Sequence, residues 1–363
     1  MPNIVNLRLF EQKLLNEFLK GLEELPNVSA ELRPDRAVVG HSEFDAQIDL
    51  KVAGRSNRLL VEIKRCAYPR DVQQAIWQLR RVSKMLNLDD DAVLVLLSEY
   101  LSPGAKQLLE SENVGYYDAG GSLYLPAPGA YLYVERPPAR AFERSIRSLF
   151  SGRRAQVLHA LLMHSESWFG VHELAEMALV SAATASEVLS ELERMDWLST
   201  KGRGPRKERR LTQPDVLLDS WVRHVRARPA PSTARYYVPG VKFDGLLDRI
   251  VEKFSTISGA YAVTSEAAAQ LYAPFLSTIS QVRLRLLNTQ EAQIAFFGLG
   301  GRPVTEGSNL AIIDVSSPGE LLFRNRVNNV WLSSPVQVYL DLQGGEGRSA
   351  DMADHLRKEK IGF

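Results

Sequence analysis

The stretch IDLKVAGRSNRLLVEIKR, running from Ile48 to Arg65, constrains the fold more than any other. It reads as two strands joined by a polar turn, a hairpin that buries its apolar face and wets the other. Alternation along the second strand sets Leu60, Glu62 and Lys64 on one face and Val61 and Ile63 on the opposite one. The surroundings are equally ordered. Leu7 to Leu25 carries apolar residues at three- and four-residue spacing and predicts an amphipathic helix. Strands are expected around Val28 to Leu32, Phe44 to Val52 and Leu59 to Cys66, and then Pro69 opens a second helix from a favoured first-turn position. A strand over Ala92 to Leu97, a helix from Ser102 and a hairpin near Tyr116 to Leu125 complete an α/β unit with a mixed sheet, residues 1–135.

A chain of 363 residues, 45% of them hydrophobic, exceeds one core and predicts two or three domains. Its 44 basic and 43 acidic residues leave a net charge of +1, so any nucleic-acid surface must be local. Cys66 is the single cysteine, which excludes an intrachain disulfide and a cysteine-based zinc cage and fits a reducing cytoplasm. The opening MPNIVNLRLFEQ has no signal-peptide pattern, and the apolar run Ala92 to Leu97 has the length of a buried strand, so no membrane partner is expected.

Boundaries are expected at Arg136-Pro137-Pro138 and along the proline-rich Arg226 to Ser232. Between them, residues 142–226 hold broken helices and then the basic segment STKGRGPRKERRLTQ. Val171 to Leu179 makes one short helix and Ser181 can cap the next, a spacing that matches helix-turn-helix geometry. Trp197 to Thr200 and Arg209 to Thr212 read as the arms of a hairpin with a basic tip. This pattern resembles the winged-helix family and predicts an α+β domain on double-stranded DNA. The resemblance implies that Ser181, Thr184 and Ser186 meet a groove. Lys201, Arg203, Arg206, Lys207, Arg209 and Arg210 are then expected to meet phosphate, a salt-sensitive grip without sequence information.

Two E-x-K triplets occur, Glu11-Gln12-Lys13 in a helix and Glu62-Ile63-Lys64 in a strand. Asp49 stands thirteen residues before Glu62 in the preceding strand, and two carboxylates on adjacent strands can share a hard divalent cation. A salt-bridged, solvated strand face is the plainer alternative. The set resembles the PD-(D/E)XK nuclease superfamily, restriction-endonuclease-like in fold, over about Leu7 to Leu125. That resemblance implies Mg²⁺ or Mn²⁺ on Asp49 and Glu62, Lys64 as the catalytic lysine, Glu11 near the metal, and Gln74 or Gln78 from the following helix.

The third region, residues 240–363, shows mixed α and β signals and is expected to be α+β. Its stretches Gly259 to Tyr272 and Ser333 to Leu342 resemble the C-terminal region of AbiEi-type antitoxins, regulators of type IV toxin-antitoxin systems. The resemblance implies transcriptional regulation and a toxin partner, and both families imply a homodimer. Glu306-Gly307-Ser308 ahead of Asp314 lacks a second acid at Ser316, which excludes nucleotidyltransferase chemistry, and Gly298 to Gly301 is expected to be a hairpin turn. The six histidines form no metal-binding spacing, with His41 expected in a loop. Trp77, Trp168, Trp197, Trp221 and Trp331 are expected in cores or interfaces. Two functions follow: a metal-dependent DNA endonuclease positioned by a winged helix, or a regulator whose nuclease-like domain serves DNA contact or dimerisation.

Overall fold

Apolar residues at helical spacing, Leu14, Leu15, Phe18 and Leu22, wind Ile4–Glu23 into α1 and turn one side of it inward. The computed structural model describes residues 4–33, 44–52, 54–88, 92–128, 130–136, 148–229, 232–344 and 348–363. His41 and most of the boundary expected after Arg136 lie outside the described residues. The chain falls into two units, Met1–Ile146 with Ser190–Asp196, and Arg147–Leu189 with Trp197–Phe363.

In the first unit the described residues form a seven-stranded mixed sheet whose strands follow sequence order. They are β1 (Val28–Leu32), β2 (Ala46–Val52), β3 (Arg55–Ala67), β4 (Ala92–Leu101), β5 (Gly115–Asp118), β6 (Leu123–Ala127) and β7 (Ala130–Val134). The pairs β3–β4 and β4–β5 are parallel, and α2 (Pro69–Met85) and α3 (Pro103–Ser111) supply the crossovers that parallel pairing requires. Pro69 starts α2, and the Asp71 carboxylate accepts the Tyr68 backbone N–H at 3.1 Å.

Helices cover both faces of this sheet. Ile48, Leu50, Leu59, Val61 and Ile63 pack with α1, while Leu60 and Leu96 join the cores built with α2 and α3. The face of β3 beneath α2 is therefore apolar at Leu60 and turns charged at Glu62, which is 3% exposed.

The middle elements are α4 (Gly152–Met163), α5 (Val171–Met177), α6 (Ala182–Arg194), the hairpin β8 (Leu198–Lys201) with β9 (Glu208–Leu211), and α7 (Pro214–Arg226). Ser181 caps α6 by accepting the Thr184 N–H at 3.2 Å.

The remaining elements build a second seven-stranded sheet among the described residues, in the order β13-β10-β14-β12-β11-β16-β15. Its strands are β10 (Ala234–Tyr237), β11 (Tyr261–Thr264), β12 (Val282–Leu287), β13 (Arg302–Pro303), β14 (Leu310–Val315), β15 (Asn325–Val327) and β16 (Val330–Leu332). The helices are α8 (Phe243–Lys253), α9 (Ser265–Tyr272), α10 (Gln290–Phe297), α11 (Pro335–Leu342) and α12 (Ser349–Leu356). Gly298 closes α10 by donating to the Ile294 carbonyl at 3.1 Å, so this glycine stretch ends a helix where a hairpin turn was expected.

The two stretches singled out in this region pack together. Asp341 on α11 accepts from Thr264 at 2.5 Å, from Gln337 at 2.8 Å, and from Arg285 through two bonds of 2.6 and 2.8 Å. This buried ion pair has each carboxylate oxygen engaged, the arrangement that makes such a pair tolerable away from water. Within the same unit, His159 of α4 lies 2.6 Å from the Ser334 hydroxyl that caps α11, and Arg357 donates to Asp219 of α7 at 2.6 Å.

Candidate active site

The site is set by the register of one hairpin. Val52 pairs with Arg55 across a turn in which Gly54 takes φ +80, a left-handed conformation that glycine adopts without steric penalty. Counting back along the ladder, Ala46 opposes Val61 and Asp49 opposes Arg58. Asp45 stands just beyond the last pair of this ladder. Its backbone N–H donates to the Val61 carbonyl at 3.0 Å, and its carboxylate accepts the Ile63 N–H at 2.7 Å.

This corrects the expectation that Asp49 partners Glu62. Asp49 is four register steps away, about 13 Å along a strand. Its side chain is 44% exposed and engaged by Arg33 at 2.5 Å and Arg58 at 3.9 Å. Alternation could not separate the two aspartates, because positions 45 and 49 are four apart and a period of two treats them alike. Gly54 carried the missing signal: a turn placed there sets Asp49 opposite Arg58 and away from Glu62.

The other expected residues gather around Glu62. Lys64 donates from Nζ to Glu62 Oε1 at 2.5 Å, and Gln78 donates from Nε2 to Oε2 at 3.1 Å. Of the two glutamines, Gln78 reaches the carboxylate, while Gln74 is exposed on α2. Burial pushes the Glu62 carboxyl above its usual range; the Lys64 contact opposes that shift, and the nearby Asp45 and Glu11 charges reinforce it. Glu11 of α1 thus lies within electrostatic reach of the site. Lys64 and Gln78 thus meet the buried Glu62 carboxylate directly, with the half-buried Asp45 carboxylate beside it on the Ile63 N–H. Among the described residues, no group of three or more His, Cys, Asp or Glu side chains is placed to hold a metal ion.

The expected DNA-contacting residues separate into two sets. On α6, Thr184 and Ser186 are half-buried and Ser181 is exposed, its hydroxyl 2.9 Å from that of Thr184. At the hairpin tip Arg203 and Arg206 are exposed, and Lys207 is half-buried. Lys201 pairs with Glu208 at 2.7 Å, and its Nζ lies 4.6 Å from the Trp168 ring centre, with the Arg210 guanidinium 5.2 Å from the same ring. Arg209 is the exception. Strand alternation turns it inward with Leu211 to 8% exposure, and its backbone exchanges two 2.9 Å bonds with Phe169, so it is withdrawn from any phosphate. Trp77, expected in a core or an interface, is 64% exposed on α2 and so is not a core residue.

No family model matches the chain, and no curated protein does. Two solved structures are similar over part of it. One is the crystal structure of a repair endonuclease from Pyrococcus abyssi, 19% identical, with a TM-score of 0.24, covering 30% of this chain and 46% of that one. The other is the structure of an EndoMS–dsDNA complex, 20% identical, with a TM-score of 0.22, covering 29% of this chain and 42% of that one. The chain spans less than half the length of either structure that it resembles.

Proposed function

We propose that this chain is a divalent-metal-dependent nuclease acting on double-stranded DNA, with Asp45, Glu62 and Lys64 as its working residues and Gln78 holding Glu62. The observation that carries the reading is Asp45 bonded to the backbone on either side of Glu62, at Val61 and Ile63, beside a Glu62 carboxylate that is 3% exposed and whose two oxygens meet Lys64 and Gln78. A buried carboxylate is costly, and an oxygen-rich pair inside an α/β unit suits a hard cation.

Asp45 and Glu62 are the residues that would hold Mg²⁺ or Mn²⁺, with water and phosphate oxygens filling the other positions as is usual for Mg²⁺. Bound there, the cation would neutralise charge developing on the phosphate. Hydrolysis joins a water oxygen to phosphorus, breaks the bond to the leaving oxygen, and passes the water proton to that oxygen. Lys64 supplies N–H donors on the exposed side of Glu62, where its side chain is 35% exposed, and so can hold the attacking water in line. Gln78 fixes the rotamer of Glu62. The middle helices and the β8–β9 hairpin act as a winged helix on the duplex, with Arg203 and Arg206 at phosphate.

One feature favours the second reading, a DNA-binding regulator with a silent nuclease-like unit: Lys64 already spends a short charge-assisted bond on Glu62. Supercoiled plasmid separates the two. Purified protein nicks or cuts it with Mg²⁺ or Mn²⁺ and not with EDTA, and Lys64→Ala removes the activity. Cutting that persists in Lys64→Ala contradicts the assignment, and salt-sensitive binding without cutting leaves the regulator.

A further inference from the structure

The outer face of α2 has a composition that neither the hydrophobic core nor the Glu62 site explains. Trp77 is 64% exposed and Met85 is 42% exposed, beside a groove of about 600 Å³ whose walls include Arg80, Arg81, Lys84 and Glu112. That volume lies in the range of clefts that take a small-molecule-sized group, about 300–1,000 Å³. Arg81 lies with its guanidinium 5.5 Å from the Trp77 ring centre. Arg80 is committed to Glu112 at 2.8 Å, which leaves Arg81 and Lys84 as the groove's excess of positive charge. In a chain with a net charge of only +1, this excess is local.

An exposed indole with Arg81 beside its ring and Lys84 farther along the same groove fits one ligand chemistry well. The aromatic face takes a base by stacking, and the cations take the phosphates on either side of it. Duplex DNA offers its phosphates but keeps its base faces stacked, so an indole platform is useful to a strand whose bases are unpaired. An apolar protein partner would be poorly served by Arg81 and Lys84 lying across the groove. The helix also links this face to the site. Trp77 is one residue from Gln78, about 100° around the helix, and Arg81 lies three residues beyond Gln78 and four beyond Trp77.

We propose that Trp77, Arg81 and Lys84 form a stacking platform for an unpaired base of a nucleic-acid strand whose backbone passes the Glu62 site. The inference rests on the nuclease reading and narrows its substrate to DNA with a single-stranded segment.

Anisotropy of labelled oligo(dT) and of a duplex of equal length, with the full chain in EDTA, tests it. Trp77→Ala weakens oligo(dT) binding by about 5-fold or more, the loss expected for one base stack, and leaves duplex binding near wild type. Trp77→Phe recovers part of the affinity, and Arg81→Gln weakens oligo(dT) binding with a shallower salt dependence. Equal oligo(dT) affinity for wild type and Trp77→Ala overturns the platform. So does a Trp77→Ala variant whose one change is loss of a dimer, which would assign the face to a second copy. Plasmid cutting by the wild-type chain is read in parallel. Intact cutting with unchanged oligo(dT) binding removes the platform alone, while Trp77-dependent binding without cutting removes the nuclease reading alone.

Discussion

Glu62 and His159 are two ionisable groups placed where water does not reach, and each is kept there by named partners. Both Glu62 oxygens accept hydrogen bonds, so its charge is compensated within the fold. His159 is 5% exposed, and burial, helped by the charge of Arg285, pushes its imidazole down to about 3. Ser334 Oγ accepts the Gln337 N–H at 3.1 Å, which leaves its own O–H to donate to the neutral His159 ring 2.6 Å away. The native state thus refuses a proton that the unfolded chain accepts below its ordinary value of 6.5. Stability from this group is complete above that value and is lost as pH falls from 6.5 towards about 3, by an amount on the order of several kcal/mol. Denaturant midpoints across that range should fall more steeply in wild type than in His159→Gln. Parallel slopes would show that His159 is not the titrating group.

At the scale of elements, much of the first unit was legible in the sequence because its signals are local. Pro69 and Pro103 start helices, Leu7 to Leu25 reads as an amphipathic helix, and Ala92 to Leu97 reads as a buried strand. Register was not legible from alternation, since period-two patterning is blind to a shift of four residues. That is why the sequence expectation put Asp49 beside Glu62, Lys64 and Gln78, whereas Asp49 opposes Arg58 and Asp45 lies nearer Glu62. Arg209 was misjudged for a related reason: a four-residue strand with inward Leu211 carries its arginine inward too, whatever the charge of the loop beside it. The hairpin therefore gives a split outcome. Arg203→Ala and Arg206→Ala should each weaken duplex binding and lower the slope of log affinity against log salt by about 1. Arg209→Ala should cost roughly 1–3 kcal/mol of stability. Gel shifts at several salt concentrations, with thermal melts, check both. An unchanged salt slope in the tip variants would remove the hairpin from the DNA interface.

At the level of the whole chain, one unit has a mixed sheet that buries the Glu62 carboxylate, and the other holds the basic hairpin and a second mixed sheet. Among the described residues, no helix is long and apolar enough to cross a membrane. The second sheet has its own interior logic in the Arg285–Asp341 pair, and the toxin-regulator role suggested by its sequence stays a proposal alongside homodimerisation. Which aspartate serves the proposed site is tested by comparing Asp45→Asn with Asp49→Asn in one Mg²⁺-dependent plasmid assay. Asp45→Asn is expected to lower the cutting rate by roughly 100-fold or more, with Asp49→Asn near the wild-type rate. Full activity in Asp45→Asn with loss in Asp49→Asn would contradict the proposed site.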